Sequence, residues 1–240
     1  MKILAFNSSP RMEKGATDIL LNRFLEGAKY AGAEAEKIFL KNKKINNCIG
    51  CFSCWLDTPG VCIFKDDMTE ILEKMREAEL WVFGTPIYHD TMTSYLKTAI
   101  ERTLPFKHPL FKKYKDRTIH PWRYPEDKGK HKMVIISVCA FPEKSHFDAL
   151  SYTFKKISIN MEVPIVCEIF FPASMLLLSK KGARYTDKFL KAVYSAGEEI
   201  VKKGKISAKT KEILNKEIEI PKRHFLLMAN RWWKKRIKLG

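Results

Sequence analysis

Short apolar runs that stop at polar or Gly/Pro turns, with helix-period segments between them, leave this chain few folds to adopt. Lys2–Phe6 ends at Asn7-Ser8-Ser9-Pro10, Leu80–Phe83 ends at Gly84-Thr85-Pro86, and Met133–Cys139 and Pro164–Phe171 are two further strand-like runs. Glu34–Leu40 is shorter and partly polar, which suits a sheet edge. Leu20, Phe24 and Ala28 recur at helical spacing, with Thr17 or Asp18 expected as the cap and Gly32 as the stop. Asp66 or Asp67 is expected to cap a second helix carrying Ile71, Leu72 and Met75. Asp90 is expected to cap a third, in which Met92, Leu96, Ala99, Ile100 and Thr103 share a face and which Pro105 stops. Phe147–Ile159 and Asp187–Lys203 supply the last two helices. Apolar strands alternating with helices require a parallel sheet covered on both faces. The expectation is an α/β doubly wound five-stranded parallel sheet of order 2-1-3-4-5, with an inserted loop at 105–132 and a basic C-terminal tail. That divides the chain into a domain at 1–204 and an extension at 205–240.

A hydrophobic content of 45% excludes disordered and fibrous classes. No apolar run approaches the ~20 residues of a membrane-spanning helix. The first strand runs straight into a turn without a signal-peptide pattern, so a cytoplasmic setting is expected, and there six cysteines read as thiols, redox groups or metal ligands. The net charge of +17 is uneven. Nine Lys/Arg face three acids between Pro105 and Lys132, and seven face none from Pro221 to Gly240.

In such a sheet, ligands sit beyond the carboxyl ends of the strands. The loop Asn7–Thr17 lacks both G-x-G-x-x-G and G-x-x-x-x-G-K-[ST]. It offers instead Ser8, Ser9, Arg11 and Thr17 at a helix start, which is either a phosphate-monoester site or a polar turn with a Thr cap. After the third strand, Pro86-Ile87-Tyr88-His89 fits the lining of a flat heteroaromatic ring, or a plain strand-to-helix turn. Cys48, Cys51, Cys54 and Cys62 are spaced C-x2-C-x2-C-x7-C, so three thiols within seven residues and a fourth further on match the corners of a cubane. A metal-free loop, zinc and a reversible disulfide stand as alternatives. Cys139 and Cys167 lie inside apolar strands and read as small core residues.

Together these pieces resemble the flavodoxin-like NAD(P)H-dependent FMN reductase family, and within it the iron–sulfur flavoproteins. The motifs are Ser9-Pro10-Arg11, Gly15 and Thr17; Cys48-Ile49-Gly50-Cys51, Cys54, Cys62 and Asp66-Asp67-Met68; and Pro86-Ile87-Tyr88 with Lys97. The resemblance covers about 1–204. It implies that Ser9, Arg11 and Thr17 surround the FMN phosphate, that Pro86, Ile87 and Tyr88, with His89 following, line the ribityl chain and ring, and that Cys48, Cys51, Cys54 and Cys62 hold one [4Fe–4S] cluster. Ser8, Ala16 and His89 depart from the usual Gly, Asn and aromatic residue, and the loop Cys139–Glu143 is not glycine-rich.

The implied function is an FMN-dependent oxidoreductase passing electrons from NAD(P)H to a second acceptor, in a homodimer or homotetramer. The alternative is a non-enzymatic electron carrier reduced by ferredoxin. Phe225–Met228 with Arg231, Trp232, Trp233, Lys234, Lys235, Arg236 and Lys238 reads as a basic amphipathic helix. Its aromatics are expected to pack on a neighbouring subunit, ahead of nucleic acid or an anionic membrane. The 105–132 segment is expected to cover the flavin face or join subunits, and none of His108, His120 and His131 has metal-ligand spacing.

Overall fold

The computed structural model describes residues 1–218 and 220–237. Strand β1 (Lys2–Asn7), buried from Ile3 onward, lies between β2 (Glu34–Phe39) and β3 (Leu80–Pro86), with Ile3 opposite both Ala35 and Leu80. Beyond a two-stranded hairpin of β4 (Lys112–Tyr114) and β5 (Arg117–Ile119), β6 (Lys132–Val138) pairs with β3, and β7 (Ile165–Phe171) closes the sheet. The five strands are parallel in the order β2-β1-β3-β6-β7. With the hairpin set aside, that is the expected 2-1-3-4-5.

Alternation along the strands sends Ile3, Ala5, Val82 and Ile136 to one face and Leu4, Phe6, Trp81 and Ile135 to the other. Helices α1 (Ala16–Tyr30) and α5 (Ala183–Lys203) cover the first face, and α2 (Met68–Glu77), α3 (Ser94–Glu101) and α4 (Asp148–Met161) the second. The backbones of α1 and α5 touch where they cross. A Cβ on Gly27 would meet the Tyr194 carbonyl oxygen at 2.0 Å, and one on Gly197 would meet that of Phe24 at 2.0 Å.

Several sequence expectations are corrected. Helix α1 begins one residue before Thr17, its cap position is held by Gly15, and no side chain caps it. Asp90 caps nothing: α3 starts at Ser94, so Met92 precedes it and Thr103 follows it. The 105–132 insert, read from sequence as an inserted loop, also carries core residues. Besides the hairpin, it buries Phe106 and Trp122 against Trp81, with ring centroids 6.3 Å away in both cases. His131 completes this group, stacked on Trp81 at 4.7 Å, and burial lowers its pKa. The chain beyond Gly204 forms α6 (Ala208–Asn215) and α7 (Lys222–Lys234), and Leu214 and Phe225 join the core on the α1/α5 face. Lys238 lies outside the described residues.

Candidate functional site

Because the strands are parallel, the loops after β1, β3 and β6 leave the same edge of the sheet, and hydrogen bonds tie them together. Ser8 donates to the Gly84 carbonyl from both its amide, at 2.9 Å, and its hydroxyl, at 3.0 Å. Thr93 Oγ1 donates to the Ser8 carbonyl at 3.1 Å, and the Thr93 amide donates to Thr85 Oγ1 at 3.1 Å. Ser137 Oγ on β6 reaches the Thr85 carbonyl at 2.7 Å, and the Ile87 amide reaches Val138 at 2.8 Å. Three of these bonds join the loop after β1 to β3 and its loop, and two join the end of β3 to the end of β6.

Inside the first loop, Asn7 is the anchor. Its Oδ1 accepts the Ser9 amide at 2.9 Å, and its Nδ2 donates to Asp18 at 2.9 Å. Asp18, read from sequence as a cap, is instead a buried carboxylate held by Asn7, by Asn22 Nδ2 at 2.8 Å and by Lys37 Nζ at 2.5 Å. Gly15 has an extended backbone that any residue adopts, but a Cβ there would lie 2.7 Å from Ser9 Oγ. Only glycine keeps the Ser9 hydroxyl where it stands. Thr17 is 1% exposed, and its hydroxyl has no hydrogen-bond partner. Such orphans are uncommon and call for an explanation. It lies in the first turn of α1, where the Ala16 and Thr17 amides precede any intrahelical acceptor and the Asp18 amide bonds to the Gly15 carbonyl at 3.1 Å, while Arg11 is exposed.

After β3, Pro86 and Ile87 are half-buried and Tyr88 is exposed. His89 and Asp90 both have positive φ, +44° and +64°, and the Tyr88 and Thr91 backbones bond across them at 3.0 and 3.3 Å. This reversed turn holds Tyr88 and His89 outward at the sheet edge. After β6, burial pushes the Cys139 thiol up to about 12, and its Sγ donates to the Phe141 carbonyl at 3.3 Å. Cys167 is likewise pushed up to about 12 by burial, so both are inert thiols in the folded chain.

The four loop cysteines come together. Cys48, Cys51, Cys54 and Cys62 line one recess together with Arg102 and Leu104. Cys54 is buried, and burial together with the neighbouring thiols pushes it up to about 11. Cys51 is exposed and lowered by hydrogen bonds from Ser53. Arg102 has the larger structural role. It is 2% exposed, donates to the Asp66 carboxylate at 2.7 and 3.1 Å and to the Asn46 carbonyl at 2.8 Å, and so pins both ends of the loop to the end of α3. Asp66 also accepts the Met68 amide at 3.1 Å, so it supports the start of α2 from one residue before the cap position. Among the described residues, no three His, Cys, Asp or Glu side chains gather tightly enough for a single metal ion.

Sequence reading missed Asn7, Asp18, Thr93 and Arg102. Asn7 was visible only as a polar residue ending an apolar strand, and Asp18 only as a candidate helix cap. Thr93 and Arg102 carried no signal, because their partners lie 85 and 36 residues away.

A doubly wound parallel sheet of order 2-1-3-4-5, helices on both faces and its edge loops linked by hydrogen bonds, defines a flavodoxin-like α/β protein. The chain belongs to the NADPH-dependent FMN reductase family, whose model matches residues 1–120. Its relatives include an iron–sulfur flavoprotein of Archaeoglobus fulgidus, 44% identical over 103 residues, 43% of this chain and 49% of the relative. Another, from Methanosarcina thermophila, is 33% identical over 104 residues, 43% of this chain and 53% of the relative. The chain thus matches over about half the length of these curated relatives. Among solved structures, an FMN-dependent NADH-azoreductase from Bacillus anthracis superposes with a TM-score of 0.60 at 16% identity, covering 83% of this chain and 99% of that one. An NAD(P)H:quinone oxidoreductase from Methanothermobacter marburgensis gives 0.59 at 13% identity, over 83% of this chain and 96% of that one. At these identities the two structures share the fold alone.

Proposed function

We propose that the chain binds FMN across the loops after β1 and β3 and passes electrons from NADH or NADPH to a second acceptor. The observation that carries this reading is the buried, unpartnered Thr17 hydroxyl in the first turn of α1, with Ser9 also buried in the loop that leads into it. A phosphate monoester there satisfies Thr17 Oγ1, the Ser9 hydroxyl and the first-turn amides together, with Arg11 closing the rim. Pro86 and Ile87 form an apolar wall for the ribityl chain and ring, and the reversed turn sets Tyr88 and His89 at its edge. FMN supplies two-electron acceptance from a nicotinamide and one-electron release. The protein's part is to fix the phosphate, present one ring face and shield the other.

Cys48, Cys51, Cys54 and Cys62 are proposed to hold a [4Fe–4S] cluster. All four cysteines line one recess, and the buried Arg102 cation beside Cys62 would offset the negative charge of bound thiolates. Thr93, which touches the first loop, and Arg102, beside the cysteines, flank α3, so this helix of about 12 Å would join the two proposed sites. A cytoplasmic homodimer or homotetramer completes the reading. Among the described residues, no helix is long and apolar enough to cross a membrane.

A second reading has its own observation. Cys51, Ile49 and Phe52 are exposed, so the cysteine loop offers a surface through which a ferredoxin would deliver electrons without a nicotinamide. Mixing the anaerobic protein with NADH or NADPH separates the two. Bleaching of the flavin absorbance is expected from the reductase, and its absence, with reduction by ferredoxin, from the carrier. A colourless protein that FMN does not reconstitute would refute both.

A further inference from the structure

Helix α7 is attached to the body by one side of its apolar face. Phe225 is buried and Ala229 packs beside it, whereas Leu226, Trp233 and Ile237 are each 54% exposed, Met228 is 49% exposed and Trp232 is 36% exposed. At 100° per residue within the helix, Met228, Trp232, Phe225, Ala229, Trp233 and Leu226 fall on one side together with Lys222, and Arg223, Arg231 and Lys234 fall on the other together with Leu227, itself 63% exposed. The packed pair therefore occupies the middle of a wider apolar arc, with exposed side chains on both flanks. No acidic residue occurs from residue 220 onward, against seven Lys/Arg there. Lys222 faces Glu143 at 3.5 Å, which sets the first turn of α7 beside the loop after β6. Arg236 lies 3.8 Å over the Trp232 ring, and Trp232 and Trp233 meet edge to face at 4.6 Å.

We propose that α7 is a docking helix for an anionic lipid surface, on which Leu226, Met228, Trp232, Trp233 and Ile237 enter the headgroup boundary while the flanking cations meet lipid phosphates. Two features decide between occupants. A second copy of this chain carries the same +17, so a segment with seven cations and no acid approaches it against repulsion, whereas an anionic bilayer attracts it. Nucleic acid attracts the cations equally, but it offers no apolar phase for exposed Leu226, Met228 and Ile237. Tryptophans beside arginine and lysine are the side chains that settle at a bilayer interface. Because α7 starts next to Glu143, docking would bring the loop edge of the sheet to the lipid surface, within reach of an apolar electron acceptor. The proposal stands whether or not FMN is bound.

The test is sedimentation of the full chain with vesicles of phosphatidylcholine alone or with about one-third phosphatidylglycerol. Expected is pelleting with the anionic vesicles only, weakened by salt and reduced roughly ten-fold in the double variant Leu226→Ser/Trp233→Ser, whose changes are at exposed positions. A second variant, Arg231→Glu/Lys235→Glu, is expected to lose the same binding while retaining its melting temperature. Three results would overturn the proposal. These are no pelleting with anionic vesicles, pelleting unchanged in Leu226→Ser/Trp233→Ser, or a self-association that the same variant abolishes without any vesicle binding. Tighter α7-dependent binding to duplex DNA than to the vesicles would also overturn it, in favour of a nucleic-acid surface.

Discussion

The loop after β1 and the cysteine loop hold the two proposed sites, yet they are built on opposite plans. Ser8–Gly15 is short, its two serines are buried, and its conformation is set by Asn7, Asp18, Gly84 and Thr93 with no ligand needed. Residues 43–67 contain neither helix nor strand, most of their side chains are exposed, and the segment is held to the body at a few points: at its ends Asp66 binds Arg102 and Asn46, and in its middle Trp55 Nε1 donates to the Leu104 carbonyl at 3.1 Å and Arg123 to the Cys54 carbonyl at 3.3 Å. A preformed site spends its ligand's interactions on affinity, and a loosely framed one spends them on ordering the chain. The first loop is therefore predicted to bind its ligand without changing shape, and the second to depend on its ligand for its own rigidity.

The largest effect expected is all-or-none. Cys54→Ser removes the one buried thiol of the recess and should abolish iron and sulfide content while FMN content is unchanged. Loss of both cofactors together would contradict the independence of the two loops. Next comes Arg102→Met, which leaves the Asp66 carboxylate buried without its partner and should cost about 3–5 kcal/mol in denaturant unfolding. The same pair gives a pH signature. Burial raises the Asp66 pKa, but Arg102, Asn46 and Met68 hydrogen bonds outweigh it and bring it to about 2, from 3.8 in the unfolded chain. Its stabilisation is thus complete above the unfolded value and is lost as pH falls from about 4 to about 2, a loss that Arg102→Met should flatten.

Gly15→Ala sharpens the comparison from the other side. The backbone tolerates alanine, but the new Cβ displaces Ser9 Oγ, so FMN affinity should fall more than about ten-fold, or ~1.4 kcal/mol, with the cysteine loop unaffected. Thr17→Val is the smallest change and the most pointed. It removes an unsatisfied buried hydroxyl, so FMN-free protein should be unchanged or more stable by up to about 1 kcal/mol, yet bind FMN roughly ten-fold more weakly. Calorimetry and flavin titration on one preparation would show whether the two readouts move apart.

The strands, their order and the three loop motifs were legible because each rests on local pattern: apolar runs, turn residues and cysteine spacing. The caps were misread because Thr17 and Asp18 have the right side chains for capping but one holds an open polar position and the other a buried network with Lys37. The core residues within the 105–132 insert stayed hidden for the opposite reason. Phe106, Trp122 and His131 show no period, since they pack as a cluster on Trp81 and not as one face of a helix or strand. Leu214 and Phe225 sit in a basic stretch whose charge concealed two core positions. Arg102 and Asp66 could be paired only once α3 had brought them together.

The account turns on the phosphate. Titrating FMN-free protein with FMN and with riboflavin, which has the same ring and ribityl chain but no phosphate, isolates the contribution of Ser9, Thr17 and the first turn of α1. FMN is expected to bind at least about a hundred-fold more tightly, a difference of ~2.7 kcal/mol. Equal affinity for the two would contradict it, because the loop after β1 would then hold nothing that the ring-lining residues Pro86 to Tyr88 do not.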